Sequence, residues 1–411
     1  MMVGATCLSD SIDHVISPEP PPRRVLIVRM SHLGDVAQAL PLVHAIHSAW
    51  PGAEIGWAIQ PEFAALVEPF AKVFPFDRLG GARAWPRIRS EMRAWRPDIA
   101  LDAQGNWKSA VCMRLSGAPR RYGFERSAWQ EPVAARIAGL VHVPAPAPGE
   151  AESSAPEARH LVPLCRSIAA FVMGTAGATE RIDPCLTEAE IKRGSALLTN
   201  ALGPHAADHV TVLHPGVAGD PRTWPASRFE ELGSRLVRRG ERVLFLTGPG
   251  EAETGRALEQ AVPKAAHLVG QRGLRDLCAL LHAVAERDGQ ILVSDSGPAH
   301  IAASVGLPVR LLAGPENPSR TGPWPLAADP DSPHRLVPAA AEIAWSARTI
   351  EAVTVDDAEQ AARRQSGEET TTDGRRVSLP AAGRERRHVG TERVDRTSFT
   401  GRHEQLRPAP H

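Results

Sequence analysis

Short aliphatic runs alternate with helix-period segments along most of the chain, and this alternation sets its organisation. Val25-Leu26-Ile27-Val28 predicts a buried strand, residues 35–50 a helix that Pro41 kinks or delays, and residues 54–59 a second strand. The pattern continues with a short helix at 61–67, a strand at 72–76, a helix at 85–95, a strand at 98–101 and a helix at 107–116. Strand–helix units at this spacing predict a parallel sheet covered on both faces. Residues 141–158, rich in proline, alanine, serine and glutamate, read as a loop, and 160–173 as a helix.

A second series follows a linker at 174–184. Thr187 and Glu190 form a capping-box pair opening a helix to about Asn200. Strands are predicted at 210–214, 242–247, 291–294 and 308–312, with helices at 226–238, 251–261, 274–285 and 298–305. The expected fold class is therefore α/β, with two doubly wound, Rossmann-like domains. Their limits are set at 23–175 and 176–364, and the last helix, 350–364, is expected to cross back onto the first domain. Residues 1–22, ending in Pro18-Glu19-Pro20-Pro21-Pro22, read as a disordered leader. Residues 365–411, poor in large apolar side chains, read as a disordered tail.

Composition agrees with two cores: 411 residues, 43% of them hydrophobic. A formal charge of zero points to neither nucleic acid nor a charged membrane as a global partner. The five cysteines lack any Cys-x-x-Cys spacing, which argues against a disulfide framework or structural zinc and fits a reducing cytoplasm. Acidic residues and the lack of an apolar core argue against a signal peptide at the N-terminus, and no stretch approaches the ~20 apolar residues of a membrane span. A soluble protein with at most peripheral membrane contact is expected. Lys72, Lys108, Lys192 and Lys264 are the only lysines, so nearly all positive charge is arginine.

Ligands of open α/β sheets bind beyond the carboxyl ends of the strands, and four strand-to-helix loops are unusual there. In Met30–Asp35, a carboxylate in the first helical turn is held as an anion and can accept a proton, although a plain cap gives the same residues. Ser294-Asp295-Ser296-Gly297-Pro298 resembles a helix start whose free N–H groups bind phosphate, with capping as the alternative. Residues 214–225 are glycine-rich and carry Arg222, a cation suited to a leaving diphosphate. In Thr247-Gly248-Pro249-Gly250-Glu251, the acid could hold ribose hydroxyls or cap the next helix. Dinucleotide, Walker A, zinc-protease and nucleophile–histidine motifs are absent, so metal independence and no cofactor are expected.

Taken in order, Val25–Arg29 with Leu33-Gly34-Asp35-Val36 and Leu40-Pro41, Asp102-Ala103-Gln104-Gly105 with Lys108-Ser109-Ala110, Arg222-Thr223-Trp224-Pro225, Gly248-Pro249-Gly250-Glu251, and Asp295–His300 followed by Gly314-Pro315 resemble glycosyltransferase family 9, the ADP-heptose:lipopolysaccharide heptosyltransferases. The resemblance covers about residues 23–360, and the Asp102 block is most similar to heptosyltransferase I. It implies a GT-B fold whose two domains face a central cleft, an inverting transfer from ADP-heptose, and an anionic lipid-linked glycan acceptor at the Kdo inner core. By motif, Asp35 is the expected general base. Arg222 replaces the usual lysine as the cation on the diphosphate. Asp295, Ser296, Gly297, His300 and, more weakly, Glu251 match donor-binding positions. Lys108, Arg83, Arg87 and His160 match basic acceptor contacts. The implied location is cytoplasmic, peripheral at the inner membrane, with no nucleic acid partner. Another donor or acceptor within the family, or a nucleotide-sugar-binding protein without turnover, are the competing readings.

Overall fold

Four aliphatic residues in succession leave no polar face, and β1 (Arg24–Val28) accordingly lies inside a parallel sheet, buried from Val25 onward. The computed structural model describes residues 20–77, 80–144, 160–174, 182–203, 209–271, 273–327, 329, 331–337 and 349–363. The predicted tail lies outside the described residues, as do most of the leader, loop and linker.

The first sheet has the order β3-β2-β1-β4-β5-β6. Its other strands are β2 (Glu54–Ile59), β3 (Lys72–Pro75), β4 (Ile99–Asp102), β5 (Arg120–Gly123) and β6 (Val141–His142). Its helices are α1 (Leu33–Gln38), α2 (Pro41–Ala49), α3 (Ala84–Trp95), α4 (Trp107–Leu115), α5 (Pro132–Ala138) and α6 (Leu161–Met173). The predicted helix at 35–50 is two helices, because Pro41 starts a second one at its first position. β5, α5 and β6 were not predicted. β6 has only two residues, at the start of the segment read as a loop.

The second sheet repeats the architecture in the order β12-β11-β10-β7-β8-β9. It contains β7 (Val210–His214), β8 (Arg242–Leu246), β9 (Ala266–Leu268), β10 (Gln290–Ser294), β11 (Val309–Leu312) and β12 (Arg335–Val337). Around it lie α7 (Glu188–Leu202), α8 (Ala226–Arg238), α9 (Ala252–Ala261), α10 (Leu274–Ala285), α11 (Gly297–Ser304), α12 (Pro318–Thr321) and α13 (Val355–Ala362). The capping box of α7 is present, with Thr187 Oγ1 accepting from Glu190 N.

The final helix is corrected by its contacts. α13 does not cross back to the first sheet but packs on α8. Arg235 bonds Asp356 and Glu359, and the buried Trp224 indole donates to Val353 O at 2.8 Å. Both sheets belong to one compact unit, and all strand pairs in each are parallel. The carboxyl ends of the central strands β1 and β10 run into α1 and α11, which pack on each other. That contact positions the site.

Candidate active site

Two glycines bring α1 and α11 together. A Cβ on Gly34 would lie 2.3 Å from His300 Cδ2, and one on Gly297 would lie 2.8 Å from Leu33 Cδ2. Neither helix could approach as closely with any side chain there. The result joins the first and second unusual loops of the sequence, which come from different sheets.

On the first side, Asp35 stands in the opening turn of α1, its side chain about one-third exposed. It is not a free carboxylate. Arg29, at the end of β1 and almost fully buried, hydrogen-bonds Asp35 Oδ2 through Nη2 and donates to Ala103 O through Nη1 at 3.0 Å. Burial lowers the Arg29 pKa to about 10, which leaves the guanidinium charged at neutral pH. His32 Nδ1 lies 3.4 Å from the same carboxylate oxygen, and the His32 backbone has φ 64, in the left-handed region that non-glycine residues seldom occupy. A cation in contact favours the ionised carboxylate and aims it. Arg29 belongs to the matching block but had no assigned role. The signal that marks it is a charged residue closing an otherwise aliphatic strand.

The Asp102–Gly105 block builds the floor of this loop. Asp102 Oδ1 accepts from Gln104 N and Gly105 N, Gln104 Oε1 accepts from Met30 N, and Gln104 Nε2 donates to Ser31 Oγ. Ser109 Oγ donates to Asn106 O, and Asp102 Oδ2 is buried without a partner. Burial pushes the Asp102 carboxyl up from 3.8 to about 6, against the pull of the Gly105 and Gln104 N–H groups. A carboxyl raised in the folded state costs stability as pH climbs from about 4 to 6, where the unfolded chain ionises first. Asp102→Asn keeps the Oδ1 acceptor, so its unfolding free energy, measured in urea, is expected to gain on wild type by about 2 kcal/mol between pH 4.5 and 7.

On the other side, Asp295 follows β10 and Ser296 is the N-cap of α11. Ser296 Oγ is buried and has no hydrogen-bond partner, at the end of a helix whose first N–H groups are free of intrahelical partners. Asp295 Oδ2 accepts from Thr321 Oγ1 at 3.2 Å, and its Oδ1 is 3.8 Å from His300 Nε2. Gln38 of α1 ties the sides together, its Nε2 lying 2.9 Å from His300 Nδ1 and 3.0 Å from Gly322 O. An amide nitrogen is a donor only, so His300 Nδ1 accepts and Nε2 carries the proton facing Asp295.

The remaining expected residues fall into different roles. His160 is not an accessible cation. It is 2% exposed, caps α6 by accepting from Val162 N at Nδ1, and donates from Nε2 to Gly322 O at 2.9 Å. Burial lowers its pKa to about 4. Its ring lies against Trp324 with centroids 5.1 Å apart. Glu251 is also occupied: Oε2 accepts from Gly248 N at 2.8 Å, and Oε1 is 3.6 Å from His214 Nε2. Of the two readings left open for Glu251, the capping one describes its contacts.

Arg222 sits beside the Asp295 loop, because Trp224 N donates to Ser294 Oγ at 3.1 Å. Its fork is held by Asp220, with Nε on Oδ1 at 3.0 Å and Nη2 on Oδ2 at 2.7 Å. Those bonds raise the Arg222 pKa against burial, and Asp295 and Glu316 add in the same direction. Among the acceptor candidates, Lys108 is exposed near the start of α4 and Arg83 is exposed beside α3. Arg87 pairs with Glu91 across one helical turn. Among the described residues, no group of three or more His, Cys, Asp or Glu side chains could hold a metal ion.

Two doubly wound parallel sheets joined where β1 and β10 run into α1 and α11 give the chain a GT-B fold. The chain belongs to glycosyltransferase family 9 (heptosyltransferase), whose sequence model matches residues 85–329. It is 27% identical to lipopolysaccharide heptosyltransferase 1 of Pseudomonas aeruginosa over 317 residues, covering 73% of this chain and 81% of that one. The Escherichia coli protein of the same name is 25% identical over 313 residues, covering 73% of this chain and 90% of its own. In structure the chain is similar to "E. coli heptosyltransferase WaaC with ADP", at a TM-score of 0.61 and 21% identity, over 82% of this chain and 98% of that chain.

Proposed function

We propose that the protein transfers heptose from ADP-heptose to the Kdo region of a lipid-linked lipopolysaccharide core, with inversion at the anomeric carbon. The observation that carries this reading is the junction of α1 and α11, which sets the Asp35 loop beside a helix start with an unpartnered hydroxyl, Ser296 Oγ. An acceptor hydroxyl gives its proton to Asp35 as its oxygen attacks the anomeric carbon. The bond from that carbon to the diphosphate breaks, and ADP leaves onto the α11 N–H groups and the Ser296 hydroxyl. Asp295 faces the donor sugar, with His300 holding its other flank. Exposed Lys108 and Arg83, with Arg87, offer positive charge to an anionic acceptor. The relatives named above are lipopolysaccharide heptosyltransferases, which supports heptose as the sugar.

Purified protein is expected to release ADP from ADP-heptose only when a Kdo-bearing lipid acceptor is present. ADP release from ADP-heptose without any acceptor dependence, or release from UDP- or GDP-sugars instead, overturns the reading.

The capture of Arg222 by Asp220 favours a second reading, a nucleotide-sugar-binding protein without turnover. The two diverge at that pair. If Arg222 serves the diphosphate, Arg222→Gln lowers turnover by about 10- to 100-fold, whereas Asp220→Asn, which frees the fork, tightens ADP binding several-fold. A wild-type protein that binds ADP-heptose by calorimetry yet releases no ADP with any Kdo acceptor selects the second reading.

A further inference from the structure

Among the described residues five large apolar side chains are exposed, and four of them fall between Trp107 and Val141 of the first domain. Val133 is 61% exposed, Val141 48%, Trp107 43% and Ile137 42%. Val133 and Ile137 are four residues apart on α5 and so share a side of that helix. Trp107 opens α4 next to the start of α5, where its backbone N–H donates to Glu131 Oε2 at 2.7 Å. Val141 continues the face onto β6, the edge strand of the sheet. A globular surface usually scatters such side chains singly, and clustering of this kind marks an interaction site.

The charge around them is one-sided in a chain whose total is zero. Between Gly105 and His142 there are six lysines and arginines and two carboxylates. At the far end of α5, a Cβ on Gly139 would touch both Arg114 Nη1 and Arg121 Nη2, at 3.0 and 3.6 Å. Arg121 spends its hydrogen bonds on the backbone carbonyls of Gly139 and Ala118, and neither guanidinium has a carboxylate partner among the described residues. Burial lowers the Arg121 pKa and Arg114 adds to the effect, as expected for two cations held together without a counter-ion. Arg136, exposed on α5 between Val133 and Ile137, likewise lacks an acidic partner among the described residues.

We infer that this face, formed by the start of α4, by α5 and by β6, docks the enzyme on an anionic phospholipid surface. Apolar side chains ringed by arginine match a membrane interface, where the rings and branched chains enter the headgroup boundary and the guanidiniums meet phosphate. The face begins at the carboxyl edge of the sheet, where α4 follows the Asp102–Gly105 loop that braces Arg29 and Met30. One end of the face is thus a few residues from the loop that carries Asp35, the side on which the proposed acceptor reacts. This choice of occupant rests on the lipid-linked acceptor proposed above. No helix among the described residues is long and apolar enough to cross a membrane, so the contact is a surface one.

The test is co-sedimentation of the full chain with vesicles, in the absence of donor and acceptor. Wild type is expected to pellet with phosphatidylglycerol-containing vesicles, to stay in solution with pure phosphatidylcholine, and to dissociate as salt rises from 0.1 to 0.5 M, conditions that shorten the screening length. The double variant Val133→Glu/Ile137→Glu should lower the partition coefficient by at least about tenfold, and Arg114→Glu/Arg136→Glu by about as much. Lys264→Glu, at an exposed cation of the other domain outside every candidate loop, should change nothing. Turnover on a delipidated, soluble Kdo acceptor should be unaffected in all three, with unchanged thermal melts. Wild type that does not bind anionic vesicles, or variants that bind as well as wild type, overturns the inference. So does a dimer in solution that Val133→Glu/Ile137→Glu dissociates, since a second copy would then be the occupant. Vesicle binding without heptose transfer leaves the docking face intact and refutes only the proposed reaction.

Discussion

Asp35→Asn is expected to lower turnover about a thousandfold, within the range that a positioned general base contributes, while ADP binding stays within a few-fold of wild type. Asparagine keeps the size of the side chain and loses the proton acceptor. It also leaves Arg29 without its carboxylate, and since that arginine is almost fully buried, a stability loss of about 2 kcal/mol should accompany the change. The two effects separate cleanly, because a loss of that size leaves a folded enzyme at 25 °C. Full activity in Asp35→Asn, measured by ADP release with a Kdo acceptor, would remove Asp35 from the mechanism.

Gly34→Ala should produce the second large effect without touching a reacting group. In most helices this exchange stabilises, by about 1 kcal/mol. Here the new methyl would sit 2.3 Å from His300 Cδ2, so α1 and α11 must move apart or the imidazole must turn away from Asp295. A displacement near 1 Å between Asp35 and the start of α11 is expected to cost turnover about 100-fold if the two act as proposed. Gly52→Ala, where nothing lies within 4 Å of the added carbon, is the matched control and should keep full activity. Equal turnover in both variants would mean that the helix contact does not set the site.

The parts of this fold that were legible in the sequence are those written by local chemistry. Val25–Val28 and the other central strands announce themselves because burial on both faces demands uninterrupted aliphatic residues. α8 and α10 occupy the predicted spans, whereas β5 was missed because Arg120-Arg121-Tyr122-Gly123 puts two charges into a four-residue strand near an edge. β9 and β12, at three residues each, are too short for any period to show. Of the candidate site, the loops themselves could be read, since glycine, proline and acids at strand ends carry their own signal. The partners could not. Gln38 meets His300 across 262 residues of chain and Arg29 meets Ala103 across 74, and no local pattern records such distances. The opposite holds for Arg222, whose partner Asp220 is two residues away and visible in Asp220-Pro221-Arg222 once a free cation is not assumed. His160 could be placed at the start of α6, but burial decided that it is a neutral cap.

One carbonyl ties the two domains together twice. Gly322 O accepts from Gln38 and from His160, two residues of the first domain on separate helix boundaries, while Gly322 itself belongs to the second. A buried donor or acceptor left unmade costs about 1–3 kcal/mol, so three buried polar groups depend on the two domains staying together at this one carbonyl.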